Sequence, residues 1–144
     1  MTTGYSGTPL IRKLGIKPGQ TILILNPPDD YAATLGDMPD GVTQAEALDG
    51  PLDFIQFFTK ERVELEEYFE GLKTALRPDG TLWISWPKKA SKLSSDLDGN
   101  RVREIGLAHG LVDVKVAAVD AVWSGLKFVY RLEDRPKPDR RALL

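Results

Sequence analysis

The chain has 144 residues, 42% of them hydrophobic and 28% charged, which suits one globular domain with a real core. Its formal net charge of −2 argues against a nucleic-acid or membrane-surface binder. With no cysteine and a single histidine, disulfides, thiolate nucleophiles, iron–sulfur clusters and thiol-ligated zinc are excluded, and only a carboxylate site for Mg²⁺ or Ca²⁺ is left open. No apolar run is long enough for a bilayer and no signal-peptide core is visible, so the expectation is a soluble, cytoplasmic protein.

Met1 to Gly7 is small and polar. Thr8-Pro9 reads as the N-cap and first residue of a short helix with Leu10, Ile11 and Leu14 on its apolar face and Gly15 as a left-handed stop. Thr21 to Leu25 is continuously apolar, as in a central parallel strand. Tyr31 to Leu35 reads as a short helix, and Val42 to Leu48 as a weak edge strand whose alanines bury little area. Leu52 to Phe58 is rich in aromatic and branched residues and predicts the next strand. Thr59 is placed to cap a helix whose core face is Leu65, Tyr68, Phe69, Leu72, Ala75 and Leu76, stopped by Arg77-Pro78-Asp79-Gly80.

Thr81 to Trp86 is a further buried strand, ended by Pro87, and Lys88 to Ser95 is a polar connection. A helix is expected from Asp96 to His109 with Leu97, Val102, Ile105 and Ala108 inward, then a strand with Val112, Val114 and Val116 alternating inward, then a last strand around Phe128 and Tyr130. Asp120 to Gly125 joins the last two as an antiparallel hairpin. Alternating strands and helices predict an α/β fold: a three-layer, Rossmann-like, mostly parallel sheet with a C-terminal antiparallel hairpin. Residues 1–132 form one domain in this reading, and the charged segment 133–144 is expected to be disordered.

Leu76-Arg77-Pro78-Asp79-Gly80-Thr81-Leu82-Trp83-Ile84 resembles the helix–turn–strand stretch of class I S-adenosylmethionine-dependent methyltransferases, and Leu52-Asp53-Phe54-Ile55 resembles the strand before it. The hairpin from Leu111 to Leu132 is similar to that family's sixth and seventh strands. The resemblance implies a shortened methyltransferase-like Rossmann fold. Phrases such as Tyr5-Ser6-Gly7-Thr8-Pro9, Trp86-Pro87-Lys88-Lys89 and Ala118 to Lys127 also resemble a group of short bacterial proteins from which no activity carries over.

The family holds its cofactor with a glycine-rich turn after the first strand and an acidic residue at the end of the second. Here the turn is Asn26-Pro27-Pro28-Asp29-Asp30. Proline has no N–H and a fixed φ, so two of them remove donors that would meet an anionic ligand. Glu46 is the only acidic residue in the second strand, and the stretch from Leu25 to Leu52 is short for the usual two further strand–helix units. The expectation is no cofactor, with S-adenosylmethionine as the disfavoured possibility.

Ligands of open parallel sheets lie beyond the carboxyl ends of the strands. The candidate ligand residues there are Asn26, Asp29, Trp86, Lys88 and Lys89, suited to a small anion. The plainer reading is that Lys88, Lys89 and Lys92 are a solvated loop and that Trp86 packs beneath the next helix. Asp120 and Trp123 are candidates for an interaction surface, including a homodimer contact, although Trp123 equally suits a plug of the core. His109, at a helix C-terminus, suits the macrodipole better than catalysis. Two functional readings follow. One is a non-catalytic binding or interaction domain with a degenerate cofactor site. The other is a small methyltransferase-like enzyme or a binder of an adenosine-containing ligand.

Overall fold

The computed structural model describes residues 9–135. The elements, in chain order, are α1 (Leu10–Leu14), β1 (Thr21–Leu25), α2 (Tyr31–Leu35), β2 (Thr43–Gln44), β3 (Leu52–Phe58), α3 (Arg62–Ala75), β4 (Leu76–Pro87), α4 (Gly99–Ala108), β5 (Leu111–Ala118) and β6 (Trp123–Tyr130), followed by one 3₁₀ turn, Leu132–Asp134. The strands form a single six-stranded sheet in the order β2-β1-β3-β4-β6-β5. β2, β1, β3 and β4 pair in parallel, and β6 lies antiparallel between β4 and β5. The expected Thr8 cap and the tail beyond residue 135 lie outside the described residues.

Side-chain alternation along the strands sorts the core into two faces. Ile55, Phe57, Leu82, Ile84 and Trp86 point toward α3 and α4, which contribute Leu65, Phe69, Leu72, Val102 and Ile105. Phe54, Phe58 and Trp83 point toward α1 and α2, which contribute Leu14, Tyr31 and Leu35. The sheet is thus the middle of three layers, and Trp83 and Trp86 sit on opposite sides of it, as their odd spacing requires.

Several local expectations need correction. Glu61, not Thr59, occupies the N-cap position of α3 and caps nothing with its side chain. Thr59 is buried; its Oγ1 accepts the Glu61 N–H and donates to Glu64. No loop separates α3 from β4: Leu76 already pairs with Leu52, and the register slips before Phe54 pairs with Thr81. Gly80 permits this, because a Cβ there would lie 2.9 Å from Asp53 O. Ala108 is exposed rather than inward, and Leu97 is buried but precedes α4, which Asp98 caps by accepting the Arg101 N–H at 2.8 Å.

The valines of β5 do not alternate inward. A register shift between Asp113 and Lys115 exchanges the two faces midway. Leu111 and Ala117 therefore pack on opposite sides of the sheet, while Val114 and Val116 are 54% and 67% exposed.

Candidate functional site

Successive connections leave β1 in opposite directions, to β2 on one side and to β3 on the other, so the topological switch point lies between the carboxyl ends of β1 and β3. The loop after β1 bends there through two non-glycine residues in the left-handed region, Asn26 at φ 55° and Asp30 at φ 62°. Both types tolerate that conformation because a short polar side chain can bond locally. The side chain of Asn26 crosses the switch point: its Nδ2 donates to Phe58 O at the end of β3, at 3.3 Å.

Beneath that bridge, on the α1/α2 side, a row of aromatic rings runs along the carboxyl edge. Tyr31 meets Phe58 edge-on at 4.8 Å between centroids, and Phe58 meets Trp123 edge-on at 5.2 Å. The Tyr31 hydroxyl donates to Gln56 Oε1 at 2.6 Å, and Gln56 Nε2 donates to Ser85 Oγ at 3.2 Å. Gln56 and Ser85 are fully buried. Burial pushes the Tyr31 phenol far above its ordinary value, with the Gln56 bond opposing the shift in part, so it stays a neutral donor. Sequence reasoning missed this relay. The available signal was a Gln and a Ser inside otherwise apolar strands, since buried polar groups require partners.

The sequence-predicted residues separate into three places. Lys88 is committed to the hairpin turn: its Nζ donates to Asp120 O at 2.8 Å, and its N–H donates to Val122 O at 2.8 Å. Asp120 Oδ1 accepts the N–H groups of Val122 and Trp123, both at 2.8 Å, and so knots that turn. Trp123 is 8% exposed and closes the end of the core. Asp29 and Lys89 are exposed, and none of the described side-chain bonds joins either to another candidate. Trp86 is buried on the other face, where its ring would lie 3.7 Å from a Cβ on Gly99 at the start of α4. It packs beneath the next helix.

The N-terminus of α3, which follows β3 at the same edge, has a charged partner from the chain itself. Asp96 Oδ1 accepts the Arg62 N–H at 2.8 Å, and Ser95 Oγ donates to Lys60 O at 2.7 Å, tying the Lys88 to Ser95 connection over the helix start. A helix N-terminus favours an anion through its free N–H groups and its dipole, and here a carboxylate of this chain takes that position.

Two hollows remain. One, of about 200 Å³, lies beside the proline loop and is lined by Ile24, Pro27, Tyr31, Leu35, Met38 and Gln44. The other, open and of about 570 Å³, lies at the opposite end of the sheet between the segment Leu48 to Pro51 and the last turns of α3. Beside it His109 Nδ1 pairs with Glu70 Oε2, and the His109 ring stacks on Phe69. That bond holds the Glu70 carboxyl below the usual carboxylate range. No group of three or more His, Asp or Glu among the described residues is placed to hold a metal ion, and none of the described helices is long and apolar enough to cross a membrane.

No protein-family model matches the chain, and no curated protein matches it. Solved structures do. A SAM-dependent methyltransferase from Aquifex aeolicus superposes with a TM-score of 0.59 at 16% identity, covering 83% of this chain and 86% of that one. Magnesium protoporphyrin IX methyltransferase from Synechocystis PCC 6803 with bound SAH gives 0.55 at 9% identity, over 85% and 78%. A TehB-like SAM-dependent methyltransferase from Corynebacterium glutamicum gives 0.53 at 14% identity, over 85% of each chain. The chain has the methyltransferase-like Rossmann fold. At these identities the likeness concerns architecture. Relative to the fold expected from the sequence, the segment between β1 and β3 holds one five-residue helix and one two-residue strand.

Proposed function

We propose that this chain is a non-catalytic binding or interaction domain, built on a methyltransferase-like fold whose cofactor corner has degenerated. The observation that carries this reading is the bond from Asn26 to Phe58 O across the switch point, above the packed row Tyr31–Phe58–Trp123. A nucleoside cofactor at that corner would have to open the bridge and meet two prolines in place of N–H donors. The recess beside the loop, about 200 Å³, falls below the roughly 300–1,000 Å³ of pockets that enclose ligands of that size. Glu46 is exposed and stands beyond the end of β2.

The interaction surface in this reading is the free edge of β5. It carries the exposed Val114 and Val116 and, among the described residues, has no strand partner on its outer side, an arrangement that invites strand addition or self-pairing into a homodimer. Trp123, being buried, does not belong to that surface.

The second reading is a binder of S-adenosylmethionine or a related adenosine ligand. It is favoured by the strand order and by the Synechocystis neighbour, whose structure holds SAH. Isothermal titration with S-adenosylmethionine and S-adenosylhomocysteine separates the two. The first reading expects no saturable heat from either, and a one-to-one isotherm weakened by Asn26→Asp would establish the second. For self-association, light scattering across a concentration series should show a dimer that Val116→Lys dissociates. A monomer at all concentrations removes the homodimer.

A further inference from the structure

A separate feature lies on the α1 side of the terminal hairpin. Lys115 of β5 and Lys127 of β6 are directly opposed in the antiparallel ladder. Like charges in that position destabilise a sheet. Lys127 also pairs with Trp83 of β4, which fixes its side chain on the face covered by α1, and Trp83 Nε1 is tied to α1 by donation to Leu14 O at 2.9 Å. Lys115 Nζ points to the last turn of α1, at Lys13 O, and Lys17 follows in the turn just after that helix, its charge felt at Lys127. Burial depresses the Lys127 ammonium below its ordinary value, and the charges of Lys115 and Lys17 depress it further, with no carboxylate of the described residues opposing them.

The four ion pairs among the described residues all lie elsewhere. Asp113, the acid nearest in sequence to Lys115, is engaged by Arg103 of α4. Lys13, a further cation on α1, is engaged by the backbone: its Nζ donates to Ala118 O at 3.0 Å and acts as a brace between α1 and β5. Lys115 Nζ reaches only Lys13 O, at 3.4 Å, so the three ammonium groups retain donors. A chain with a net charge of −2 thus sets a partly buried Lys127 beside two exposed cations, Lys17 and Lys115, at a cost to its own stability. That cost is offset when an anion is bound there.

We propose that this face of the hairpin is a binding site for a phosphate group, held by the ammonium groups of Lys17, Lys115 and Lys127. Three compact point charges without an arginine fork suit a multiply charged tetrahedral oxyanion better than a planar carboxylate. The site is distinct from the carboxyl-edge corner and does not depend on how that corner functions.

The test uses the full chain with inorganic phosphate, and with glycerol 3-phosphate as a simple monoester, against chloride at equal ionic strength. Saturable heat and a raised melting temperature with phosphate are expected. Lys127→Met, which keeps the aliphatic stem, should weaken binding by about ten-fold or more and should raise the melting temperature of the ligand-free protein. Lys17→Gln, at an exposed position outside the core, should weaken it too, and it decides the matter if the first variant fails to fold. Lys60→Gln, on the far side of the sheet, should bind like the parent. Tighter binding of the ester would identify an organic phosphate as the ligand, and equal binding the phosphate group alone. No response beyond the chloride control, or equal affinity in Lys17→Gln and the parent, overturns the proposal.

Discussion

On one side of the β1–β3 crevice, β3, β4, β5 and β6 run for seven to twelve residues and are backed by the fourteen-residue α3 and the ten-residue α4. On the other side, β2 contributes two residues and α2 five. The first half buries Leu52, Phe57, Phe69, Leu82 and Phe128 to 1% exposure or less, whereas the second relies on Tyr31 and Leu35 and on single hydrogen bonds across the crevice. The difference teaches that this fold concentrates its packing in β3 to β6 and their helices, while the segment between β1 and β3 is held by two very short elements.

The largest effect should come from the robust half. Trp83 is fully buried and bonds to Leu14 O, so Trp83→Ala should lose about 3–5 kcal/mol in urea unfolding. A loss below about 1 kcal/mol would mean that α1 and the sheet are not one cooperative unit. Next comes the junction of the halves. Tyr31→Phe removes the donor to Gln56 and leaves a buried oxygen unpaired, which should cost about 1–3 kcal/mol; an unchanged midpoint would mean that Gln56 repartners.

A smaller effect is expected at the crevice itself. Asn26→Ala removes the bridge and places alanine at a positive φ, for a loss of about 1 kcal/mol, while Asn26→Gly should lose less because glycine accepts that backbone. In both variants amide exchange should quicken in α2 and β2 and stay unchanged in β4 and β6. Uniform acceleration would contradict the division into two halves. The smallest effect concerns acid. The Glu70 carboxyl is held low by His109, so its contribution is present above the ordinary carboxylate value and is lost as pH falls through the lowered folded value. Glu70→Gln should flatten the acid limb of a melting-temperature profile, and an unaltered limb would show that the exposed pair contributes nothing.

Much of the sheet was readable because its strands are locally unambiguous. Leu52 to Phe58 could only be a buried strand, and the odd spacing of Trp83 and Trp86 fixed their faces without any knowledge of neighbours. The β5 valines misled because strict alternation assumes a continuous ladder, and the register shift at Asp113 to Lys115 is set by pairing with β6 and not by β5 itself. The candidate site was less legible for a related reason. Lys88 and Asp120 have the composition of an anion site, yet they are joined to each other across 32 positions of sequence, and nothing local announces such a pairing. The lysines opposed on β5 and β6 were hidden likewise until the register was known.

The position of β6 has a consequence for how the chain assembles. β4, the most deeply embedded ribbon of the molecule, receives its outer neighbour only from Trp123–Tyr130, while the earlier-made β5 must wait for that same segment before it can attach. During synthesis a nascent chain therefore holds a long, apolar, unpaired border until Tyr130 has left the ribosome. Such a border is a hazard for intermolecular pairing, and the tight Asp120 turn, closing at short range, limits how long it stays open.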